Sequence, residues 1–186
     1  SESNGDATRQ SFAVLLTSVA VWLIGQAAVL LSDSLGAMTF WHQVTYVGVV
    51  VTPVSWIVFA LSFTGREDLL DERAYATAAA FVATVLALSF TNDTHQLFYS
   101  GRSVDFVGST PVLDMDPASL WWVYFGISYL LIGTGVVMLV SFALSTETTY
   151  RGQMVALFGA CLFPIAANVI TVFEVPVDPV IDLTPL

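Results

Sequence analysis

Five long apolar stretches fill most of this chain, and each is about twenty residues long. A helix of that length crosses the hydrocarbon core of a bilayer, and it satisfies its own backbone hydrogen-bonding groups where no water is present. The sequence therefore predicts an all-α membrane protein with a bundle of about five transmembrane helices. The predicted spans are Ser11–Leu31, Trp41–Phe63, Ala74–Phe90, Leu120–Leu144 and Gln153–Phe173.

The composition leaves no room for a separate soluble domain. Hydrophobic residues make up 56% of the 186 residues and charged residues only 11%, so we expect residues 1–186 to form a single transmembrane domain. The chain opens on a polar segment without methionine, and it closes with Thr184 followed by Pro185, which is typical of a helix start. We therefore expect a fragment with further helices missing at both ends.

The charges are strongly unbalanced. Fifteen acidic residues stand against five arginines, lysine is absent, and the formal net charge is −10. Such a chain repels the phosphate backbone, which excludes nucleic acid as a partner. The absence of lysine excludes a retinal Schiff base within this segment. An acidic, lysine-free composition resembles that of proteins from extreme halophiles.

The arginines indicate an orientation in the membrane. Four of the five fall in connecting segments that share one side, and the fifth falls on the other. The positive-inside rule places the four-arginine side in the cytoplasm. We therefore expect a multi-pass protein of the cell membrane, with a cytoplasmic N-terminus and an extracellular loop over residues 91–119. The four are Arg9, Arg66, Arg73 and Arg151, and the fifth is Arg102.

The long outer loop contains two short runs typical of strands, His95–Tyr99 and Val104–Val107. The residues between them, Ser100–Arg102, include a glycine suited to a turn. The pattern predicts a small β-hairpin that caps the helix ends, with a flexible loop as the alternative.

Two prolines lie near the middle of predicted spans, Pro53 in the second and Pro164 in the fifth. Each lacks an N–H and therefore leaves a carbonyl four residues earlier unpaired, that of Val49 or Ala160. We predict kinks at both positions, which form a hinge or border a ligand pocket; simple packing is the alternative. The expected partners of the freed carbonyls are Thr52, Ser55, Asn168 or internal water.

Polar side chains are rare inside the spans, and hydrocarbon penalises them, so they are expected to face the bundle interior. Together they would line an outward-opening cavity. Interhelical hydrogen bonding, worth about 0.6 kcal/mol on average, is the alternative. The candidate ligand-binding residues are His42, Gln43, Tyr46, Tyr129 and Asn168, and the other polar positions are Gln26 and Thr45.

Aromatic residues gather near the predicted outer boundary. The sequence favours an interfacial belt, in which amphipathic rings lie at the headgroups, over an aromatic ligand cage. These residues are Phe40, Trp41, Trp121, Trp122, Tyr124 and Phe125.

Motifs of catalysis are absent from the sequence. It contains no HExxH zinc motif, no phosphate-binding glycine loop and no GxSxG elbow. The two histidines, His42 and His95, lack the partners of a metal or haem site. We therefore predict no catalytic residue, no metal site and no cofactor, and we do not expect this segment to be an enzyme.

Short strings of characteristic residues stand along the chain in a fixed order. The strings are Trp41, Tyr46, Gly48, Pro53, Trp56, Phe59 and Thr64–Arg66, then Thr91, Asn92 and His95, then Tyr129 and Gly133, and finally Gly159, Pro164, Asn168 and Asp182–Pro185.

This ordered series resembles the N-terminal seven-transmembrane sensor region of histidine kinases. In the family pattern the stretch would be helices two to six, and Thr64–Arg66 would close a helix. One departure is Phe63, where the family often has a tyrosine before this triplet. A role for that hydroxyl is therefore not expected here.

The resemblance implies a membrane-embedded signal-input domain. It would detect an undefined stimulus and pass a helix rearrangement to a cytoplasmic output domain of the same chain, as in a two-component system. The implied partners are the lipid bilayer, that kinase or other output domain, and a second copy of the chain in a homodimer. The alternatives are a small carrier or channel component and a structural membrane subunit.

Overall fold

The structure of the protein, a computed structural model, describes residues 2–107 and 110–145. By its internal contacts the chain divides into Ser1–Leu139 and Val140–Leu186, and the site described below lies within the first unit. The elements are α1 (Glu2–Leu30), α2 (Leu35–Phe63), a 3₁₀ turn (Glu67–Leu69), α3 (Glu72–Phe90), α4 (Asn92–His95), β1 (Tyr99–Val107), β2 (Thr110–Pro117) and α5 (Ser119–Ser145).

Four helices in the described part of the chain are long and apolar enough to cross a membrane. This confirms the helical membrane class and the first four predicted spans. The fifth, Gln153–Phe173, and with it Pro164 and Asn168, lies outside the described residues. The spanning candidates are Asp6–Leu30, Leu35–Phe63, Glu72–Phe90 and Ser119–Ser145.

Local capping sets the helix starts. The second helix begins earlier than predicted because the Ser34 hydroxyl accepts a hydrogen bond from the Ala37 N–H at 3.3 Å, satisfying a donor that the helix cannot. Asp71 does the same for α3, where its carboxylate accepts from the Ala74 N–H at 2.8 Å. Both caps lie outside the apolar stretches, so hydrophobicity alone places these boundaries too late.

The end of α2 is a glycine-dependent stop. Gly65 adopts a left-handed backbone conformation with φ 73°, which a residue with a Cβ rarely adopts. Its N–H donates to the Ser62 carbonyl at 3.2 Å, and the Arg66 N–H donates to the Leu61 carbonyl at 2.9 Å. This pair of bonds is a Schellman motif. The triplet Thr64–Arg66 therefore closes a helix, as the family resemblance implies.

Two glycines bring the backbones of α1 and α2 into contact. A Cβ built on Gly48 would overlap the Ser18 carbonyl oxygen and lie 2.5 Å from the Trp22 backbone nitrogen. A Cβ on Gly25 would lie 2.8 Å from the backbone nitrogen of Thr45. Small residues at such crossings allow the close van der Waals packing that associates helices in lipid.

A buried hydroxyl pair joins the same two helices. The Ser18 Oγ lies 3.0 Å from the Thr52 Oγ1, one residue before Pro53. Thr52 also donates to the carbonyl of Gly48 at 2.8 Å, so its hydroxyl serves both its own helix and α1. The contact matches the structural role that the sequence left open for polar residues in the spans.

The hairpin exists, but its strands differ from those predicted. The run Val104–Val107 belongs to β1 and pairs with β2, with Val104 opposite Leu113. Ser100–Arg102 lies inside β1, where the register is irregular between Tyr99 and Gly101, rather than in the turn. The glycine therefore marks a strand irregularity, which glycine tolerates as well as it does a turn.

The arginines of the described residues separate along the helix axes. Phe12 near the start of α1 contacts Phe59 near the end of α2, with ring centroids 5.4 Å apart, so these helices are antiparallel. Arg9 therefore lies at the same end of the helices as the α2–α3 connection, which carries Arg66. Arg102, in the hairpin, lies beyond the opposite end of α3.

Candidate functional site

Asn92 anchors the hairpin to the end of α3. Its side chain is buried, and its Oδ1 accepts hydrogen bonds from the backbone N–H groups of Phe98 at 2.9 Å and Tyr99 at 3.0 Å. Its Nδ2 donates to the Tyr99 carbonyl at 2.9 Å. One amide thus satisfies three backbone groups at the start of β1, which buried backbone requires.

The turn around Asn92 is braced by its neighbours. Thr91 Oγ1 lies 3.3 Å from His95 Nε2, and His95 Nδ1 accepts from the Leu97 N–H at 3.0 Å. Gln96 follows with φ 53°, the one non-glycine residue with positive φ among the described residues. The residues Thr91, Asn92 and His95 therefore have a structural role, which is to turn the chain from α3 into the hairpin.

The entrance of the hairpin also holds the start of α5. The Leu120 N–H donates to the Leu97 carbonyl at 3.0 Å, and the Ala118 N–H donates to the Phe98 carbonyl at 2.9 Å. The first N–H groups of a helix have no partner within it, so these carbonyls act as its cap. Through this segment α3, β1 and α5 are joined at one end of the helices.

Beneath the hairpin lies a cluster of buried aromatic rings, which we call the aromatic cluster. It is formed by Tyr46 of α2, Phe98, Tyr99 of β1 and Tyr124 of α5. The Tyr46 ring lies 5.6 Å from that of Phe98 and 5.8 Å from that of Tyr124, within the range that aromatic pairs prefer. Phe81 of α3 stacks on Tyr124 at 6.5 Å, so all four elements meet there.

His42 lies at the edge of the aromatic cluster. Its ring is 5.5 Å from that of Tyr46 and 5.8 Å from that of Tyr99, and its Nε2 is 3.4 Å from the Tyr99 hydroxyl oxygen. Burial raises the pKa of Tyr99 to about 12. The hydroxyl therefore stays protonated at neutral pH and can serve as donor or acceptor towards the imidazole.

The Tyr46 hydroxyl is buried without a hydrogen-bond partner among the described residues. The residue is only 4% exposed. An unpaired buried hydroxyl costs about 1–3 kcal/mol, so it would be stabilised by any polar group that came within reach.

The carbonyl freed by Pro53 has a partner on another helix. Pro53 lies inside α2, and the Val49 carbonyl accepts a hydrogen bond from the Tyr124 hydroxyl at 3.0 Å. The expectation that Thr52 or Ser55 fills this role is wrong: Thr52 bonds the Gly48 carbonyl, and Ser55 bonds the Val51 carbonyl at 3.0 Å. A hydroxyl on a β-carbon reaches carbonyls of its own helix, whereas Tyr124 reaches across from α5.

Tyr124 itself corrects a second expectation. It was predicted in the interfacial belt, but it is buried in the aromatic cluster because its hydroxyl has a partner inside the protein. Trp122 and Phe40 are exposed, as a belt requires. Trp121 stacks on Phe125 with ring centroids 5.0 Å apart.

A second contact joins α2 to α5 one turn beyond the proline. The Trp56 Nε1 donates to the Ile132 carbonyl at 3.0 Å. Gly135 makes room for the indole, because a Cβ there would lie 2.8 Å from Trp56 Cδ1. Hydrogen bonds therefore connect α2 and α5 on both sides of Pro53 in the sequence.

The structure brings together two of the predicted ligand-binding residues. His42 and Tyr46 share one face of α2 and touch. Gln43 is half-buried and makes no hydrogen bond from its side chain to another described residue. Tyr129 packs on Phe125, with ring centroids 4.4 Å apart, and Asn168 lies outside the described residues. Gln26, expected to face the interior, is exposed.

Exchange of the Tyr124 hydroxyl tests the link at the proline. Tyr124→Phe is expected to reduce the free energy of unfolding by about 1–2 kcal/mol, because it leaves the Val49 carbonyl without its donor. Pro53→Ala restores a backbone N–H that can bond this carbonyl, so Tyr124→Phe should have little effect in that background. Unfolding of the full-length protein in bicelles measures this cycle. Equal losses in both backgrounds would contradict the link; Tyr129→Phe is the control and should not depend on Pro53.

Four long apolar helices with an ordered hairpin across one end define the class of this protein, a multi-pass helical membrane protein. The chain belongs to the family described as the N-terminal 7TM region of histidine kinase, whose family model matches residues 2–186. This confirms the resemblance seen in the ordered strings. No curated protein and no solved structure matches the chain.

Proposed function

We propose that this chain is the signal-input domain of a sensor histidine kinase, in which the hairpin end receives a stimulus and a helix rearrangement carries it to a cytoplasmic output domain. Membership of the family supports the sensor class over a carrier or a structural subunit. The observation that carries the proposal is the Tyr124–Val49 hydrogen bond, which joins the aromatic cluster beneath the hairpin to the proline position of α2.

The contacts give a continuous physical route from the hairpin to α2. Asn92 fixes the backbone of Tyr99, and the Tyr99 ring lies 6.2 Å from that of Tyr46 on α2. A displacement of β1 therefore acts directly on α2, above the point where Pro53 removes one bond of the helix ladder. We propose that Pro53 is a hinge and that Pro164 in the last predicted span is a second one.

The route limits what a stimulus can do. A ligand or a membrane state can shift the equilibrium between two helix arrangements only by the difference between its interaction free energies with them. We propose that His42 and Tyr46 sense the arrangement, because they lie where the hairpin meets α2. Gln43, Tyr129 and Asn168 stay in the proposal as candidate ligand-binding positions.

The proposed orientation follows from charge. Arg9, Arg66 and Arg73 lie at one end of the helices and Arg102 lies at the other, and the positive-inside rule favours the first end as cytoplasmic. The hairpin would then be extracellular. We further propose that residues 1–186 act as one sensor domain, linked to an output domain in the same chain and paired with a second copy as a homodimer.

Removal of both prolines tests the hinge. In the full-length kinase in lipid vesicles, Pro53→Ala combined with Pro164→Ala is expected to change the rate of basal autophosphorylation, because straighter helices favour one arrangement of the bundle. Pro111→Ala, which removes a proline from the hairpin, is the matched control and should leave the rate unchanged. An unchanged basal and stimulated rate in the double variant would discard the hinge.

A further inference from the structure

A polar crevice opens at the base of the hairpin. Its volume is about 180 Å³. Sites for drug-sized ligands are typically about 300–1,000 Å³, so this crevice fits a small solute. It is lined by Asn92, Asp93, Gln96, Tyr99, Ser100, Gly101 and Arg102.

Two opposite charges stand side by side in the crevice. The Arg102 Nη1 donates to the Asp93 Oδ1 at 2.8 Å. The Arg102 side chain is only 16% exposed, whereas that of Asp93 is 78% exposed. The guanidinium is therefore held in place by its surroundings, while the carboxylate is free to move.

Most hydrogen-bonding capacity of Arg102 remains available. A guanidinium carries five N–H donors in a planar fork, and within the described residues its only acceptor is Asp93. The Asp93 side chain is largely exposed, so an incoming carboxylate can take its place on the fork. The displaced Asp93 carboxylate then lies beside the ligand and needs a cation.

The charges of Arg102 and Asp93 favour a ligand that carries both a negative and a positive group. A simple anion would meet repulsion from Asp93 and from a chain of net charge −10. A simple cation would meet repulsion from Arg102. The Asn92 amide bonds three backbone groups, whereas the Gln96 side chain is exposed and has no hydrogen bond to another described residue.

We propose that this crevice binds a small zwitterion of the α-amino acid class, with its carboxylate on Arg102 and its ammonium on Asp93. The inference rests on the proposed sensor function and supplies its stimulus. Tyr99 lines the crevice and also contacts His42 and Tyr46. Occupancy of the crevice therefore presses on the residue that contacts α2.

Calorimetric titration of the full-length protein in nanodiscs tests the site with three probes: alanine, N-acetylalanine and alaninamide. Alanine is expected to bind saturably. Each analogue lacks one charge and should bind about tenfold more weakly or worse, as expected for the loss of one charge-assisted contact. Equal binding of alanine and N-acetylalanine would overturn the proposal, as would the absence of saturable alanine binding.

Variants of Arg102 and Asp93 test which charged group of alanine each residue binds. Arg102→Gln should weaken alanine binding about tenfold or more, and Asp93→Asn should remove the advantage of alanine over N-acetylalanine. Asp105→Asn, on the same strand outside the crevice, is the matched control and should bind like the unmodified protein. Thermal unfolding of each variant checks that it is folded. Undiminished alanine binding by a folded Arg102→Gln variant would overturn the site.

The outcome is separable from that of the proposed function. The proline variants keep every residue of the crevice, so they should still bind alanine saturably even if autophosphorylation changes. If the unmodified protein does not bind alanine but the proline variants show altered phosphorylation, the zwitterion site is rejected and the sensor function is kept. Normal alanine binding with unchanged phosphorylation would keep the site and reject the hinge.

Discussion

Asn92→Ala is expected to lower the free energy of unfolding by about 3 kcal/mol or more, because it leaves three buried backbone groups unpaired at about 1–3 kcal/mol each. Those groups are the N–H groups of Phe98 and Tyr99 and the carbonyl of Tyr99. Loss of these hydrogen bonds should also release Leu97 and Phe98, whose carbonyls hold the start of α5. Denaturant unfolding of the full-length protein in bicelles measures the effect, and hydrogen exchange at Phe98 and Tyr99 locates it.

Two neighbouring substitutions serve as controls for Asn92. Asn92→Asp keeps an acceptor for the two N–H groups, but it loses the donor to the Tyr99 carbonyl and buries a carboxylate, so it should also be destabilising. Asp93→Ala alters an exposed side chain of the same turn and should change stability by less than about 1 kcal/mol. If Asn92→Ala and Asp93→Ala unfold alike, Asn92 does not anchor the hairpin.

Gly48→Val is expected to destabilise the protein by about 3 kcal/mol, at the upper end for overpacking. The added Cβ meets the backbone of Ser18 and Trp22, which cannot rotate out of the way as a flexible side chain can. The helices α1 and α2 must separate, and the Ser18–Thr52 hydrogen bond is then lost. Unfolding in bicelles again provides the measurement.

Gly126→Val is the matched control for Gly48→Val. It makes the same change in helix α5, where a Cβ has nothing within 4 Å. Only the intrinsic helix propensities of glycine and valine then differ, which is a few tenths of a kcal/mol. Similar losses for the two variants would mean that the backbones of α1 and α2 are not in contact at Gly48.

The length of the apolar stretches was sufficient to predict the four described spans, because a helix needs a minimum apolar length to cross lipid. The stop at Gly65 was implied by the family resemblance, and its physical reason is that a left-handed helix end favours glycine. The strands of the hairpin were misassigned. A glycine within a polar loop indicates a turn and a strand irregularity equally well, and only pairing with β2 distinguishes them.

The site was predictable only in its local part. Helical spacing puts His42 and Tyr46 on one face, and the chemistry of proline shows that the Val49 carbonyl needs a donor. The donor, Tyr124, is 75 residues away in the sequence, and its position near a boundary resembles that of a belt residue. The sequence indicated Asn92 only as part of the family resemblance, because an asparagine after a helix is common at surfaces and its burial depends on the tertiary structure.

The double glycine crossing has a mechanical consequence. The helices α1 and α2 touch backbone to backbone at Gly25 and Gly48, and they cannot slide or twist past each other without atomic overlap. A movement of α2 therefore also moves α1. In the proposed sensor, a displacement that reaches α2 through Tyr99 would therefore move α1 and α2 together. The opposite end of the helix pair bears Arg9 and Arg66, and in the proposed sensor this end would pass the movement to the output domain.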